Sequence, residues 1–218
     1  MRRISLVCCA LVSVLFTAAL PASAQSVPSV VVIVSDGAKG AEIACPIGRT
    51  VRVRLEGRDA ANKVVAIDPK KIEWASPKST AFEFNTDSGY AYIVARKDAF
   101  DTGEEPSSML SAKYLGRSAA VVLHSVINVE GKWQLKVTSD VINLNLRQSG
   151  RWVVDNKGRR GTIHGKVLRL RIEHEIRVIG IPITLTLHPV VEFTSRTEGV
   201  GTVKVPNKIE KLYVTKLP

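Results

Sequence analysis

Past its first 24 residues this chain has a single cysteine, Cys45, so no internal disulfide braces it. The roughly 190 residues that follow are enough to bury a core without one. Cys45 lies in the apolar stretch AEIACPIG, and a lone cysteine so placed belongs in a core rather than on a reactive surface. Aromatic residues make up 6% of the chain, too few for the girdles of a membrane-spanning barrel. After residue 24 no run approaches the ~20 apolar residues that a spanning helix requires. Helical periodicity is almost absent. So are the short motifs of catalysis: there is no Gly-x-Ser-x-Gly elbow, no phosphate loop and no dinucleotide fingerprint. The four histidines show no His-x-His or His-x-x-x-His pair of the kind a zinc site uses. The sequence therefore assigns no catalytic residue, no metal and no cofactor, and it reads as a non-enzyme.

What is present begins with an address. MRR is a positive start, ISLVCCALVSVLFTAAL an apolar run, and PASA a cleavage site with the cut expected after Ala24. Cys8 and Cys9 sit inside the apolar run, which favours general secretion over a lipid anchor. The expectation is an exported protein, periplasmic or secreted.

Charge is divided unevenly. Residues 25–131 hold 13 Lys and Arg against 13 Asp and Glu, whereas residues 132–218 hold 16 against 7. A neutral half joined to a basic half points to two units with different tasks. The basic half should attract anionic partners: lipid head groups, lipopolysaccharide phosphates or acidic glycans, or else an envelope protein. Sparse aromatic interleaving and export both argue against nucleic acid. Peripheral contact with a membrane fits this charge, and crossing one does not.

The recurring pattern is two-residue alternation in short runs bounded by Gly, Pro, Asn and Asp. TVRVRLEG (50–57) sets Val51, Val53 and Leu55 against Arg52, Arg54 and Glu56. Residues 96–109 read as a long polar loop. WQLKVT and VINLNLR have opposite parity, so Ser139-Asp140 marks a turn or bulge. From Thr162 to Val178 a single long alternating run is expected, with a break at 180–182. The fold class is all-β: a β-sandwich over residues 25–130, then a second antiparallel β-rich unit, sandwich or barrel, over 131–218.

CPIGRTVRVRLEGRD (45–59), IEWASPKSTAFEF (72–84) and GRSAAVVLHSV (116–126) resemble the opening strand, the Trp-Ser-Ser segment and the closing strand of bacterial immunoglobulin-like domains. The resemblance covers residues 43–127. It implies an immunoglobulin-like sandwich that serves as a spacer or binding module, with no catalytic residue. Ile47 between Pro46 and Gly48, and an extra loop over 96–115, depart from the family pattern.

The stretch RLRIEHEIRV (169–178) places His174 between two glutamates, which resembles a site. In an extended strand, however, Leu170, Ile172, His174 and Ile176 share one face, and Glu173 and Glu175 take the other. The histidine reads as a core or pocket-lining residue. The basic turn NKGRRG (156–161) is the better candidate. Lys157, Arg159 and Arg160 crowd it, and Arg147 and Arg151 flank the preceding turn, so that together they could clamp a phosphate or carboxylate. A second candidate is the aliphatic face Ile181, Ile183, Leu185 and Leu187, which with His174 could line a cavity for a lipid or other amphipathic ligand. The leading expectation is an envelope scaffold or binding module whose basic unit contacts an anionic component. The alternative is a small-ligand carrier.

Overall fold

The computed structural model describes residues 27–35, 41–100, 105–137, 140–178, 181–205 and 208–218. The expected leader, residues 1–24, lies outside the described residues, as do the side chains of His174, Ile176–Val178 and Ile181. The described chain is all-β, apart from short 3-10 turns at Pro69–Lys71 and Lys97–Phe100.

The first half contributes β1 (Val30–Ser35), β2 (Glu42–Pro46), β3 (Thr50–Arg58), β4 (Val64–Val65), β5 (Ile72–Ala75), β6 (Phe82–Asp87), β7 (Tyr90–Ala95), β8 (Ser107–Tyr114) and β9 (Arg117–Val126). One sheet runs β1-β3-β7-β6, with β4 on β3, and a second runs β2-β9-β8-β5. All pairings are antiparallel except β2 with β9. Alternation drives the packing: Val53 and Leu55 of β3 are buried while Arg52 and Arg54 face water. Val31, Ile33, Val53 and Ile93 of one sheet share a core with Ile43, Cys45, Leu110 and Leu123 of the other. Cys45 is 0% exposed, as its neighbours imply. The long loop expected over 96–115 is shorter, because β8 occupies 107–114 and buries Leu110, Ala112 and Tyr114. Ser, Ala and Lys give that strand little hydrophobic signal, and its pairing with β9 over its full length supplies what propensity does not.

The second half contributes β10 (Gly131–Val137), β11 (Asp140–Ser149), β12 (Trp152–Asp155), β13 (Arg160–His164), β14 (Val167–Val178), β15 (Ile181–Leu187), β16 (Val190–Phe193), β17 (Glu198–Val205) and β18 (Lys208–Lys216). Eight of these strands close an antiparallel barrel in the order β13-β12-β11-β10-β18-β17-β16-β14, with β14 returning to β13. Of the expected Ser139-Asp140 turn, Ser139 lies outside the described residues and Asp140 opens β11 opposite Val137, with Leu135 facing Ile142 further along the ladder. The expected single run from Thr162 to Val178 divides in two: Gly165 (φ +53°) turns the chain between β13 and β14, so His164 stands opposite Val167. The barrel interior is filled by side chains, among them Trp133, Leu144, Ile163, Leu168, Phe193 and Leu212, all buried. Trp133 and Phe193 meet edge to face at 5.2 Å. Gly201 permits a tight wall, since a Cβ there would collide with Val190 O.

β15 and β16 pair with β14 in one register, Ile172↔Leu187 and Leu168↔Val191, so they act as one strand interrupted at His188-Pro189. Only the proximal part is inside the barrel. Beyond Arg171, β14 leaves β13 and continues with β15 as a two-stranded arm. Exposure records the departure: Leu187 is 7% exposed, and Ile183, two pairs further out on the same face, is 40% exposed.

The two halves are pinned rather than loosely tethered. The buried Gln148 side chain accepts from Val129 N (2.9 Å) and donates to Ile127 O (3.2 Å) and Gly150 O (3.1 Å). Trp133 Nε1 donates to Val129 O at 2.7 Å, and Ile127 N to Gly165 O at 2.9 Å.

A candidate anion-binding face on the barrel

The β12–β13 turn is organised from beneath by a buried carboxylate. The Asp155 side chain is 0% exposed, and its Oδ1 accepts from Lys157 N (2.8 Å) and Arg159 N (2.9 Å). The backbone closes the same loop through Asp155 N to Arg159 O (2.9 Å) and Gly158 N to Asp155 O (3.1 Å). Gly158 takes φ +78°, a conformation that a side chain would strain. Arg159 turns inward: its guanidinium lies 3.6 Å from Asp155 Oδ2 and donates to Asn143 O at 3.4 Å. It supports the turn more than it faces a ligand.

Strand register then carries charge across the outer wall. Arg147 stands opposite Val154, Val154 opposite Arg160, and Arg160 opposite Arg171, on β11, β12, β13 and β14 in succession. All four side chains face outward. Directly paired residues are only about 5 Å apart, so Arg160 and Arg171 present adjacent guanidinium groups. The next row is Ser149, Trp152, Thr162 and Arg169, in which Trp152 is 67% exposed. Where β14 leaves the barrel, Lys157, Gly158, Arg159, Arg160, Arg171 and Glu173 line an open cleft of about 530 Å³. Arg171 pairs with Glu173 at 3.7 Å, both well exposed. Among the described residues no carboxylate comes within ion-pair distance of Arg147, Lys157 or Arg160.

The structure thus brings together four of the five expected basic residues, and not the fifth. Arg151 belongs to the β11–β12 turn, at the opposite end of the barrel from Lys157. It donates through Nη2 to Glu105 at 2.5 Å and meets His164 Nδ1 at 3.0 Å. It is a junction residue, held against the first half alongside His124, which contacts the same Glu105 at 3.2 Å. Sequence reasoning misses Arg171 and Glu173 as cleft residues, because their place depends on the Arg160↔Arg171 pairing.

The described aliphatic candidates do not share one environment. Leu187 is buried against the barrel core, Leu185 is half-buried and Ile183 faces outward on the arm; Ile181 and the His174 side chain lie outside the described residues. The barrel interior is occupied by buried side chains, Trp133, Phe193 and Leu212 among them. No group of His, Cys, Asp and Glu able to hold a metal occurs among the described residues, and no described helix is long and apolar enough to cross a membrane.

No protein-family model matches the chain, and no curated protein matches it. Among solved structures, domains 4–9 of the surface layer protein SbsC align at 15% identity, with a TM-score of 0.29, over 85% of this chain and 31% of that one. The chain spans less than a third of that structure, and a likeness at this score carries no argument.

Proposed function

We propose that this is an exported, non-catalytic envelope protein in which the barrel docks on an anionic envelope surface and the first half is an immunoglobulin-like spacer. The observation that carries the reading is the outer face of β11–β14, where Arg147, Arg160 and Arg171 stand in register around the exposed Val154 and Trp152. Cations supply attraction to phosphate or carboxylate, at about 1 kcal/mol each near a charged surface. An exposed tryptophan beside them is suited to the boundary between head groups and acyl chains. Elsewhere the outward strand positions mix Lys132, Lys136, Asn143, Glu192 and Lys211 with the exposed Val190, Val200 and Tyr213, while the interior is apolar. A membrane-spanning barrel needs the reverse arrangement, which supports peripheral contact. The spacer reading is supported by strand order: β1-β3-β7-β6 and β9-β8-β5 correspond to the ABED and GFC sheets of an immunoglobulin constant-type sandwich.

Trp74 is partly buried and Trp133 fully so, which leaves Trp152 as the fluorophore a docking surface would change. Adding phosphatidylglycerol vesicles should shift emission to the blue, and neutral phosphatidylcholine vesicles should not. Arg160→Glu combined with Arg171→Glu should weaken vesicle binding by ~30-fold or more, and raised salt should weaken the parent protein's binding. Binding that ignores lipid charge, or a spectral shift that persists in Trp152→Phe, would refute the reading.

A further inference from the structure

The arm beyond the barrel has two edges, and they differ. Leu170 donates its N–H to Pro189 O at 3.0 Å, which makes the even-numbered residues of β14 the ones bonded to β15. Glu173, Glu175 and Arg177 therefore turn their N–H and C=O groups to the other side, where β13 has already ended. Among the described residues no strand fills that lane. On the opposite edge Pro182 stands across from Arg177, in a pair that does not exchange hydrogen bonds. Its ring nitrogen therefore faces outward and has no hydrogen to donate, which blunts β15. One edge lacks a donor at Pro182 and the other keeps its donors.

The open lane leads into the cleft. It extends the line of β13, and β13 begins at Arg160, beside Lys157 and across from Arg171. Because β14 runs outward from the barrel, an antiparallel guest runs inward and delivers its C-terminal end to those cations. Charge selects among guests. Two copies of this edge paired antiparallel would bring the outer end of each arm, where the sequence has Arg177, to the other's basic cleft, which like charges oppose. A guest with lysines opposite Glu173 and Glu175 and carboxylates at its end satisfies both stretches.

We infer that the free edge of β14 takes the extended, acidic C-terminal segment of a partner protein by strand addition, with its terminal carboxylate between Lys157 and Arg160. This goes beyond surface docking, because it rests on an unpaired backbone edge and shares only the cleft cations with that reading.

The probe is a short N-terminally fluorescein-labelled peptide of alternating Val and Thr, with lysines at the positions facing Glu173 and Glu175, ending in Asp-Asp with a free carboxylate. Anisotropy should show saturable binding, ~10-fold weaker for the amidated Asn-Asn version. Hydrogen exchange should slow at the amides of Glu173, Glu175 and Arg177. Glu175→Pro removes an N–H from the open edge alone; it should weaken the peptide by ~10-fold and leave vesicle binding unchanged. Peptide binding indifferent to Glu175→Pro overturns the inference. So does a protein that binds anionic vesicles but no peptide, or one that dimerises through this edge instead; surface docking survives the first two results. A protein that binds the peptide but no vesicles sinks surface docking and leaves strand addition standing.

Discussion

At the scale of single residues, burial decides chemistry. Burial pushes the Cys45 thiol up to about 12 from 9.0, because the thiolate has no water to solvate it. The sign follows from proton counts. Below 9.0 both folded and unfolded chains keep the proton, and the thiol adds no pH dependence. Between 9.0 and 12 only the unfolded chain releases it, so stability falls as pH rises, by at most about 1.4 kcal/mol per unit. Urea midpoints at pH 8 and pH 10 should show a larger drop for the parent than for Cys45→Val; equal drops would contradict this account. Cys45 is legible in the sequence because AEIACPIG is apolar on both sides. Arg151 is not. It shares charge and neighbourhood with Lys157 and Arg160, and only the contact with Glu105, 46 positions away, reveals its separate task.

At the scale of elements, the alternating pattern tells which residues face inward but not which strands meet. TVRVRLEG and VINLNLR are readable as they stand, because each buries one parity. Closure of the barrel is not, since β10 pairs with β18 some eighty residues later through Trp133↔Lys216. In an up-and-down meander, successive turns alternate ends, so one short strand, β12, is enough to place Arg151 and Lys157 on opposite rims. Glycine marks where the wall is tightest. Gly201→Val would drive a side chain into the backbone of Val190 on the neighbouring strand. The β16–β17 pair would have to part, at a cost of about 2–3 kcal/mol. Chemical denaturation should report that loss, whereas Thr202→Val, whose side chain is more open to water on the same strand, should change stability by less than about 0.5 kcal/mol.

At the scale of the whole molecule, the charge asymmetry suggests two units, and the junction shows how firmly they are joined. One cluster of buried side chains runs from Val31 to Val214 without a gap between the halves. Gln148 ties the connecting segment to the barrel through three hydrogen bonds. Calorimetry should therefore show one cooperative transition with matching calorimetric and van't Hoff enthalpies. Gln148→Leu should lower stability by about 3 kcal/mol, because Val129 N and two carbonyls lose their partner in a buried site. Two separated transitions in the parent protein would show that the halves unfold independently.

Pro182 adds a consequence for stoichiometry. A ribbon with two competent edges is a monomer in the polymer chemist's sense, since each strand it gains exposes a new edge and growth need not stop. An arm with a donor missing from one edge gains strands more readily on the other. Strand addition is then directed to β14, and copies of the protein crowded on a surface do not link through both edges of the arm into fibres.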